Sequence, residues 1–139
     1  AGIFIIDGDK FTDTGLIPTG IGAHGLYPNR DGTKLYVANR GVAKVYGPPK
    51  GKGSVSVVNF ATRKVETTWV IPGGGSPDMG NVSVDGKQLW LSGRYDNEIY
   101  VFDTTKGSVK KIPVKTEPHG LTVWPQPGRY SLGHTGNMR

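Results

Sequence analysis

Three side chains able to ligate a metal occupy one equivalent position in a repeated sequence pattern. His24, Asp78 and His119 each follow a loop and each precede a short apolar stretch. Imidazole nitrogens and carboxylate oxygens are donors that bind divalent metals such as zinc, so this set has the composition of a metal site. Two other interpretations stay open: each side chain caps its own loop by bonding backbone amides, or it contacts a ligand directly.

The pattern that places these residues is an internal repeat of strands. Residues Ile17 to Arg40 align without a gap with Ile71 to Arg94, and a third copy begins at Ile112. The step from residue 71 to residue 112 is 41 residues, and the earlier step is longer by an insertion at residues 41–53. Apolar residues show no helical period, so the chain is predicted to be all-β. A four-stranded unit of 40–45 residues is typical of a β-propeller blade; a β-sandwich, which does not usually repeat in sequence, is the alternative.

Composition limits the remaining possibilities. The 139 residues suit one domain and contain no cysteine, which excludes disulfides and thiolate metal sites. No apolar run approaches the ~18–20 residues of a membrane-spanning helix. The 22 glycines and 10 prolines recur between apolar segments as turn residues. The chain is basic, with a net charge of +6, which permits but does not require an anionic partner.

Several segments resemble a known repeat family. Tyr36–Asn39 (YVAN) is similar to the signature of the YVTN-repeat β-propellers, Ser54–Asn59 and Ile99–Asp103 resemble that repeat's "VSVID" strand, and Ile112–Val114 resembles its "IPVG" strand. The resemblance implies a seven-bladed propeller in a periplasmic or extracellular (secreted) protein. Because the family includes surface-layer modules, lactonase-like enzymes and exported binding proteins, it implies little about function.

The resemblance also implies a strand order within each blade, from inner strand A to outer strand D. Applied to this chain, it predicts about three blades' worth of a larger propeller. The predicted units are a half blade 1–18, a blade 24–71 with insertion 41–52, a blade 77–113 that ends with a strand at Val109–Pro113, and a half blade 119–134 with an inner strand at Gly120–Trp124 and a second strand at Arg129–His134. Closed propellers generally have at least four blades. We therefore expect the missing blades to come from the same propeller or from a second copy of the chain, as an oligomer.

Topology sorts the loops onto two faces. The loop face carries the D–A and B–C connections, including Thr19–Ala23, Gly73–Pro77 and the insertion, and the turn face carries the A–B and C–D turns. Polar and variable residues gather on the loop face, which is therefore the candidate binding face. The candidate ligand-binding residues are His24, Arg40, Asp78, Arg94, His119 and His134.

Two groups of basic residues could bind anions at this face. Arg40 and Arg94 present planar forks that suit carboxylate or phosphate, although ion pairs with Asp78 or Asp96 are an equal alternative. The insertion is predicted to be a loop or a short protruding hairpin outside the blade, and its deletion is expected to cost little stability. Its basic and aromatic side chains suit single-stranded nucleic acid or another polyanion, and simple solvation is the alternative. These candidate polyanion-binding residues are Lys44, Tyr46, Lys50 and Lys52.

The sequence contains no nucleophile motif, no paired acids and no phosphate-binding loop. This favours a non-catalytic binding or scaffold protein without a cofactor. A metal-dependent or lactonase-like enzyme using His24, Asp78 and His119 is the second hypothesis, and a nucleic-acid binder is the third. The tryptophans Trp69, Trp90 and Trp124 are predicted to pack between blades.

Overall fold

The computed structural model describes residues 1–128, 131–132 and 137–138, and the strands found there are all paired in antiparallel fashion. None of the residues it describes forms a helix long and apolar enough to cross a bilayer. The strands are β1 Gly2–Asp7, β2 Thr12–Pro18, β3 Ala23–Pro28, β4 Lys34–Asn39, β5 Ser54–Asn59, β6 Lys64–Val70, β7 Pro77–Val82, β8 Gln88–Gly93, β9 Glu98–Asp103, β10 Val109–Pro113, β11 Ser131–Leu132 and β12 Asn137–Met138.

These strands form sheets in chain order, as the repeat predicts. β1 pairs with β2, the next four strands pair in the order β3-β4-β5-β6, and the following four in the order β7-β8-β9-β10. A short ladder joins β11 and β12. Each four-stranded sheet has its inner strand first in the chain, so β3 and β7 are neighbours from consecutive sheets.

The middle strands of the first four-stranded sheet are buried on both faces. In β4, Tyr36 and Ala38 pack toward the β7–β10 sheet, within an apolar cluster that includes Leu91 and Phe102. Val37 packs the other way, against Ile17 of β2. Because sheets cover both faces of β4, its burial is nearly continuous instead of alternating.

Aromatic packing joins the two four-stranded sheets. The Trp69 ring lies 5.3 Å from that of Tyr36 and 5.9 Å from that of Phe102, so it connects the sheets as the sequence predicts. On the inner strands, the Tyr27 hydroxyl accepts a 2.8 Å hydrogen bond from the Gly80 amide. This bond and the aromatic contacts fix β3 against β7.

Two expectations for the last part of the repeat are wrong. The segment Gly120–Trp124, predicted to be an inner strand, has no strand pairing, and Trp124 is 75% exposed instead of packed between blades. The segment is held to β7 through side chains: the Val123 amide donates to Asn81 Oδ1 at 2.8 Å. Of the strand predicted at Arg129–His134, only residues 131–132 are described, and they are paired. Because side chains supply these hydrogen bonds, the segment Gly120–Trp124 lies beside β7 without a backbone ladder.

Candidate functional site

The structure brings His24, Asp78 and His119 together on the loop face. His24 Nε2 lies 3.0 Å from Asp78 Oδ1, and His119 Nε2 lies 3.5 Å from Asp78 Oδ2. One donor atom from each residue lies within 4.8 Å of the other two. The two imidazole rings are stacked, with centroids 6.5 Å apart. The carboxylate therefore lies between two imidazoles that come from different repeats.

Asp78 is the buried centre of this group. Its side chain is fully buried, while those of His24 and His119 are 31% and 53% exposed. Both contacts fall within ion-pair distance, yet neither carboxylate oxygen accepts a hydrogen bond from the described residues. Burial, together with the nearby Asp78 charge, raises the pKa of Tyr27 to about 12, although the Gly80 amide opposes the shift. Negative charge is therefore poorly solvated around Tyr27 and the neighbouring Asp78.

Backbone contacts explain how the carboxylate reaches this position. Gly25 follows His24 in β3, and a Cβ atom there would lie 2.6 Å from the Asp78 carbonyl oxygen. Only glycine permits so close an approach of β3 to β7. The Ser92 hydroxyl accepts from the Met79 amide at 3.2 Å and donates to the His119 carbonyl oxygen. Ser92 therefore connects the backbones on which Asp78 and His119 lie.

Arg40 and Arg94 lie on the same face and do not form the ion pairs that were the alternative to anion binding. Among the described residues neither forms a salt bridge, and the Nε atoms of both are buried without a hydrogen bond. The Arg94 guanidinium lies 5.6 Å from the centre of the Tyr95 ring. Asp96, the alternative partner, instead accepts hydrogen bonds from Ser76 Oγ at 2.6 Å and from the Tyr100 hydroxyl.

Buried polar atoms without hydrogen bonds are concentrated on the loop face. In the described part of the chain there are six, and each belongs to a residue at or beside the loop-face end of its strand. They are Asn39 Oδ1, Arg40 Nε, both oxygens of Asp78, Arg94 Nε and Glu98 Oε2. Buried polar groups in native proteins are normally hydrogen-bonded, so the loop face has hydrogen-bonding capacity that the described residues leave unused.

The model of the YNCE-like β-propeller family matches residues 2–128. The chain belongs to the YNCE-like β-propeller family. The all-β class and the propeller fold predicted from the repeat are therefore confirmed, as part of a propeller.

Solved structures agree with this fold. The propeller is similar to Kuenenia stuttgartiensis hydrazine synthase, with a TM-score of 0.62 and 23% identity over 81% of this chain and 29% of that chain. It is also similar to a luciferin-regenerating enzyme, with a TM-score of 0.57 and 16% identity over 81% of this chain and 37% of that chain. These identities support the fold alone, and the chain spans about a third of the length of either protein. No curated protein matches the chain.

The insertion of this propeller is a loop, as predicted, but it is attached to the next repeat. Gly53 and Gly75 are joined by a 2.9 Å backbone hydrogen bond, and the Gly75 amide donates to the Gly51 carbonyl at 2.7 Å. The Lys50 amide also donates to Asp96. The four candidate polyanion-binding side chains are exposed, Tyr46 by 80%. They do not converge with the His24, Asp78 and His119 cluster in any described contact.

Some residues that shape the site were not selected from the sequence. Tyr27, Ser92 and Asp96 each hold a neighbouring segment of the loop face in place. The repeat contains one sign that Ser92 differs from its equivalent in the first copy. Ser92 stands where the first copy has Ala38, so a hydroxyl replaces a methyl group on β8, the strand that pairs with β7. His134, selected as a ligand-binding candidate, lies outside the described residues.

Proposed function

We propose that this propeller is a non-catalytic binding module whose ligand contacts the loop face. The observation that carries the proposal is the set of six buried polar atoms without hydrogen bonds, all on that face. Three of these atoms, the Asp78 oxygens and Glu98 Oε2, lie within ion-pair distance of His24, His119 and Lys111. The other three, Asn39 Oδ1 and the Nε atoms of Arg40 and Arg94, each cost about 1–3 kcal/mol if they stay unpaired. Within the described part of the chain, this cost is confined to the loop face, and we attribute it to ligand binding.

The ligand is a small anion, such as a carboxylate or phosphate. Arg40 and Arg94 supply two buried guanidinium Nε donors without hydrogen-bond acceptors, and guanidinium groups recognise these anions through parallel hydrogen bonds. The net charge of +6 favours approach of an anion over long range.

Thermal unfolding with inorganic phosphate or citrate, in the presence of a metal chelator, tests this function. We expect either anion to raise the Tm, since a ligand at about 100 times its Kd stabilises a fold by about 2.7 kcal/mol. The variants Arg40→Gln and Arg94→Gln should lose most of the shift, while Arg63→Gln, in an exposed turn on the opposite face, should keep it. An unmodified chain whose Tm responds to neither anion contradicts the proposal.

The remainder of the ring belongs to the same proposal. The YVTN-like segments support a complete ring of about seven blades. This chain would supply about three blades' worth of it, as half blade 1–18, blades 24–71 and 77–113, and half blade 119–134. The small share of the structural neighbours that this chain covers supports further blades, from the same polypeptide or from a second copy. The resemblance supports a periplasmic or extracellular location. Native mass spectrometry tests the assembly, because a folded monomer at micromolar concentration contradicts it.

A second candidate function is binding of single-stranded nucleic acid by the insertion. The observation in its favour is that Lys44, Tyr46, Lys50 and Lys52 are all exposed on one loop, where the lysines can contact phosphates and the tyrosine can stack on a base. Replacing the three lysines by glutamine should reduce affinity for an oligonucleotide and lower the salt slope by about 0.7 for each phosphate that is no longer neutralised. Replacing exposed Lys106 of the turn face is the control, and equal effects would exclude the insertion as the site.

A further inference from the structure

The His24, Asp78 and His119 cluster supports an inference that goes beyond anion binding. We infer that it is a site for a divalent transition metal, with zinc as the reference ion. The metal is bound by Nε2 of the two histidines and by the Asp78 carboxylate. The inference stands on the cluster and on the burial of Asp78, and it does not require that Arg40 and Arg94 bind an anion.

The distances within the cluster are those of ligands that share one ion. Two donors at ~2.0–2.2 Å from a tetrahedral ion lie roughly 3.3–3.5 Å apart. The two histidine-to-carboxylate separations are 3.0 Å and 3.5 Å, and all three donors lie within 4.8 Å of one another. The partly exposed histidine side chains need only a small movement to close on an ion.

The state of Asp78 is the second, independent observation. Its carboxylate is fully buried, and neither oxygen accepts a hydrogen bond from the described residues. Burial of an ionised carboxylate is costly unless a cation or several donors compensate it. A divalent ion bound directly to the oxygens supplies that compensation.

The donor set selects the class of metal. Two imidazole nitrogens favour zinc and its neighbours over calcium and magnesium, which prefer oxygen ligands throughout. Three protein ligands leave a fourth tetrahedral position for water or a small ligand. The exposed sides of His24 and His119 place that position at the surface of the loop face, where a small anion could reach the ion.

Part of the surrounding structure holds the ligands in register. Ser92 bonds to the backbones of Met79 and His119, and Gly25 lets the backbone of β3 approach Asp78 closely. These contacts come from three different segments of the chain. The backbones that carry the ligands are therefore positioned before an ion arrives, which favours affinity.

The competing interpretation is a metal-free ion pair between protonated histidine and Asp78. It predicts no tighter zinc binding than the rest of the surface provides. Calorimetric titration of the chelator-treated full chain with zinc chloride, supported by the visible spectrum of the cobalt(II) form, separates the two. We expect one zinc per chain, and a cobalt spectrum of the tetrahedral type.

Variants locate the site. Asp78→Asn should weaken zinc binding by at least about 100-fold, and His24→Gln and His119→Gln by at least about 10-fold each. Asp85→Asn, an exposed carboxylate on the turn face, should leave binding unchanged. Should Asp78→Asn fail to fold by circular dichroism, the two partly exposed histidine variants carry the test. Zinc affinity that is equal in the unmodified chain and in both histidine variants overturns the inference.

Because zinc is measured directly, this outcome is independent of the anion experiment. Zinc binding without any phosphate or citrate effect supports the metal site and contradicts the anion-binding function. The reverse result, an anion effect that disappears in the arginine variants with no zinc binding, overturns the metal site alone.

Discussion

Asp78 and Asp85 are seven residues apart in sequence, but they lie on opposite faces of the blade in contrasting environments. Asp85, on the turn face, is exposed and accepts hydrogen bonds from Ser83 Oγ at 2.6 Å and from the Lys87 amide at 3.0 Å. These bonds, led by that of Ser83, hold the pKa of Asp85 below its usual value. Asp78, on the loop face, is fully buried and accepts no hydrogen bond from the described residues. One carboxylate completes a turn, whereas the other lies within ion-pair distance of two partly exposed histidine side chains.

The contrast extends to the other repeats. Hydrogen bonds from Thr33 lower the pKa of Asp31, and the amides of Lys106 and Thr105 lower that of Asp103. Both aspartates lie on the turn face, where short turns satisfy their own polar groups. The loop face instead keeps polar atoms buried without hydrogen bonds. The turn-face carboxylates therefore stabilise their own turns, and the contrast agrees with the binding role that we propose for the loop face.

The largest effect is expected where the inner strand lies closest to other backbone. A Cβ atom on Gly80 would lie 1.7 Å from the Trp90 carbonyl oxygen, which cannot move without breaking the β7–β8 ladder. We expect Gly80→Ala to lower the free energy of unfolding by about 3 kcal/mol, as overpacking does. Urea denaturation measures this. The control is Gly8→Ala, in the turn between β1 and β2, where an added Cβ meets nothing within 4 Å. Equal losses in both variants would show that the inner strand is no more constrained than the turn.

The second effect is a loss of stability at alkaline pH caused by Tyr27. Its pKa of about 12 in the folded chain exceeds the ordinary value of about 10 in the unfolded chain. Between these values the unfolded chain releases the proton and the folded chain keeps it, so stability falls as pH rises from 10 to 12. Two pKa units correspond to about 2–3 kcal/mol. Urea denaturation at several pH values should show a shallower decline for Tyr27→Phe than for the unmodified chain.

A matched control for this pH effect is Tyr46→Phe, because Tyr46 is 80% exposed. Its decline between pH 10 and pH 12 should equal that of the unmodified chain. Identical slopes in all three chains would mean that the Tyr27 hydroxyl ionises as readily in the folded chain as in the unfolded one.

The third effect tests the two carboxylates directly. In chelator at pH 8, we expect Asp78→Asn to unfold at a temperature equal to or slightly above that of the unmodified chain. The reason is that a buried charge opposes folding when it accepts no hydrogen bond and its partners within ion-pair distance are the partly exposed side chains of His24 and His119. Its neutral analogue removes that cost. Asp85→Asn should be slightly less stable, because it loses an acceptor for the turn. A marked drop in Tm for Asp78→Asn, larger than that for Asp85→Asn, would assign Asp78 a structural role.

The smallest effect concerns the insertion. Deleting only its tip, residues 43–49, should change the Tm little, because that segment is largely exposed. Deleting residues 41–52 entirely should cost more than the sequence suggests, since Gly51 and Lys50 bond to the next repeat. Thermal unfolding of the two deletions tests this order. If the complete deletion is as stable as the tip deletion, those backbone bonds contribute nothing measurable.

The sequence by itself determined the parts of this protein that depend on local pattern. Alternation and turn residues predicted the strands, for example β5 Ser54–Asn59 and β10 Val109–Pro113, with the bounds observed. The repeat and its 41-residue step predicted the propeller. The strand order predicted which connections form the turn face, since successive antiparallel strands end on opposite faces. Local pattern also selected His24, Asp78 and His119 by their equivalent positions.

Tertiary structure alone decided whether those three residues meet. Their donor distances depend on how closely β3 and the segment after residue 118 approach β7, and that packing is set by contacts such as those at Gly25 and Ser92. The same packing leaves Arg40 and Arg94 without ion-pair partners in the described chain. Asp96 instead accepts hydrogen bonds from Ser76, Tyr100 and the Lys50 amide. A repeat period records the order of segments along the chain. Distances between repeats arise from side-chain packing across them, which no period encodes.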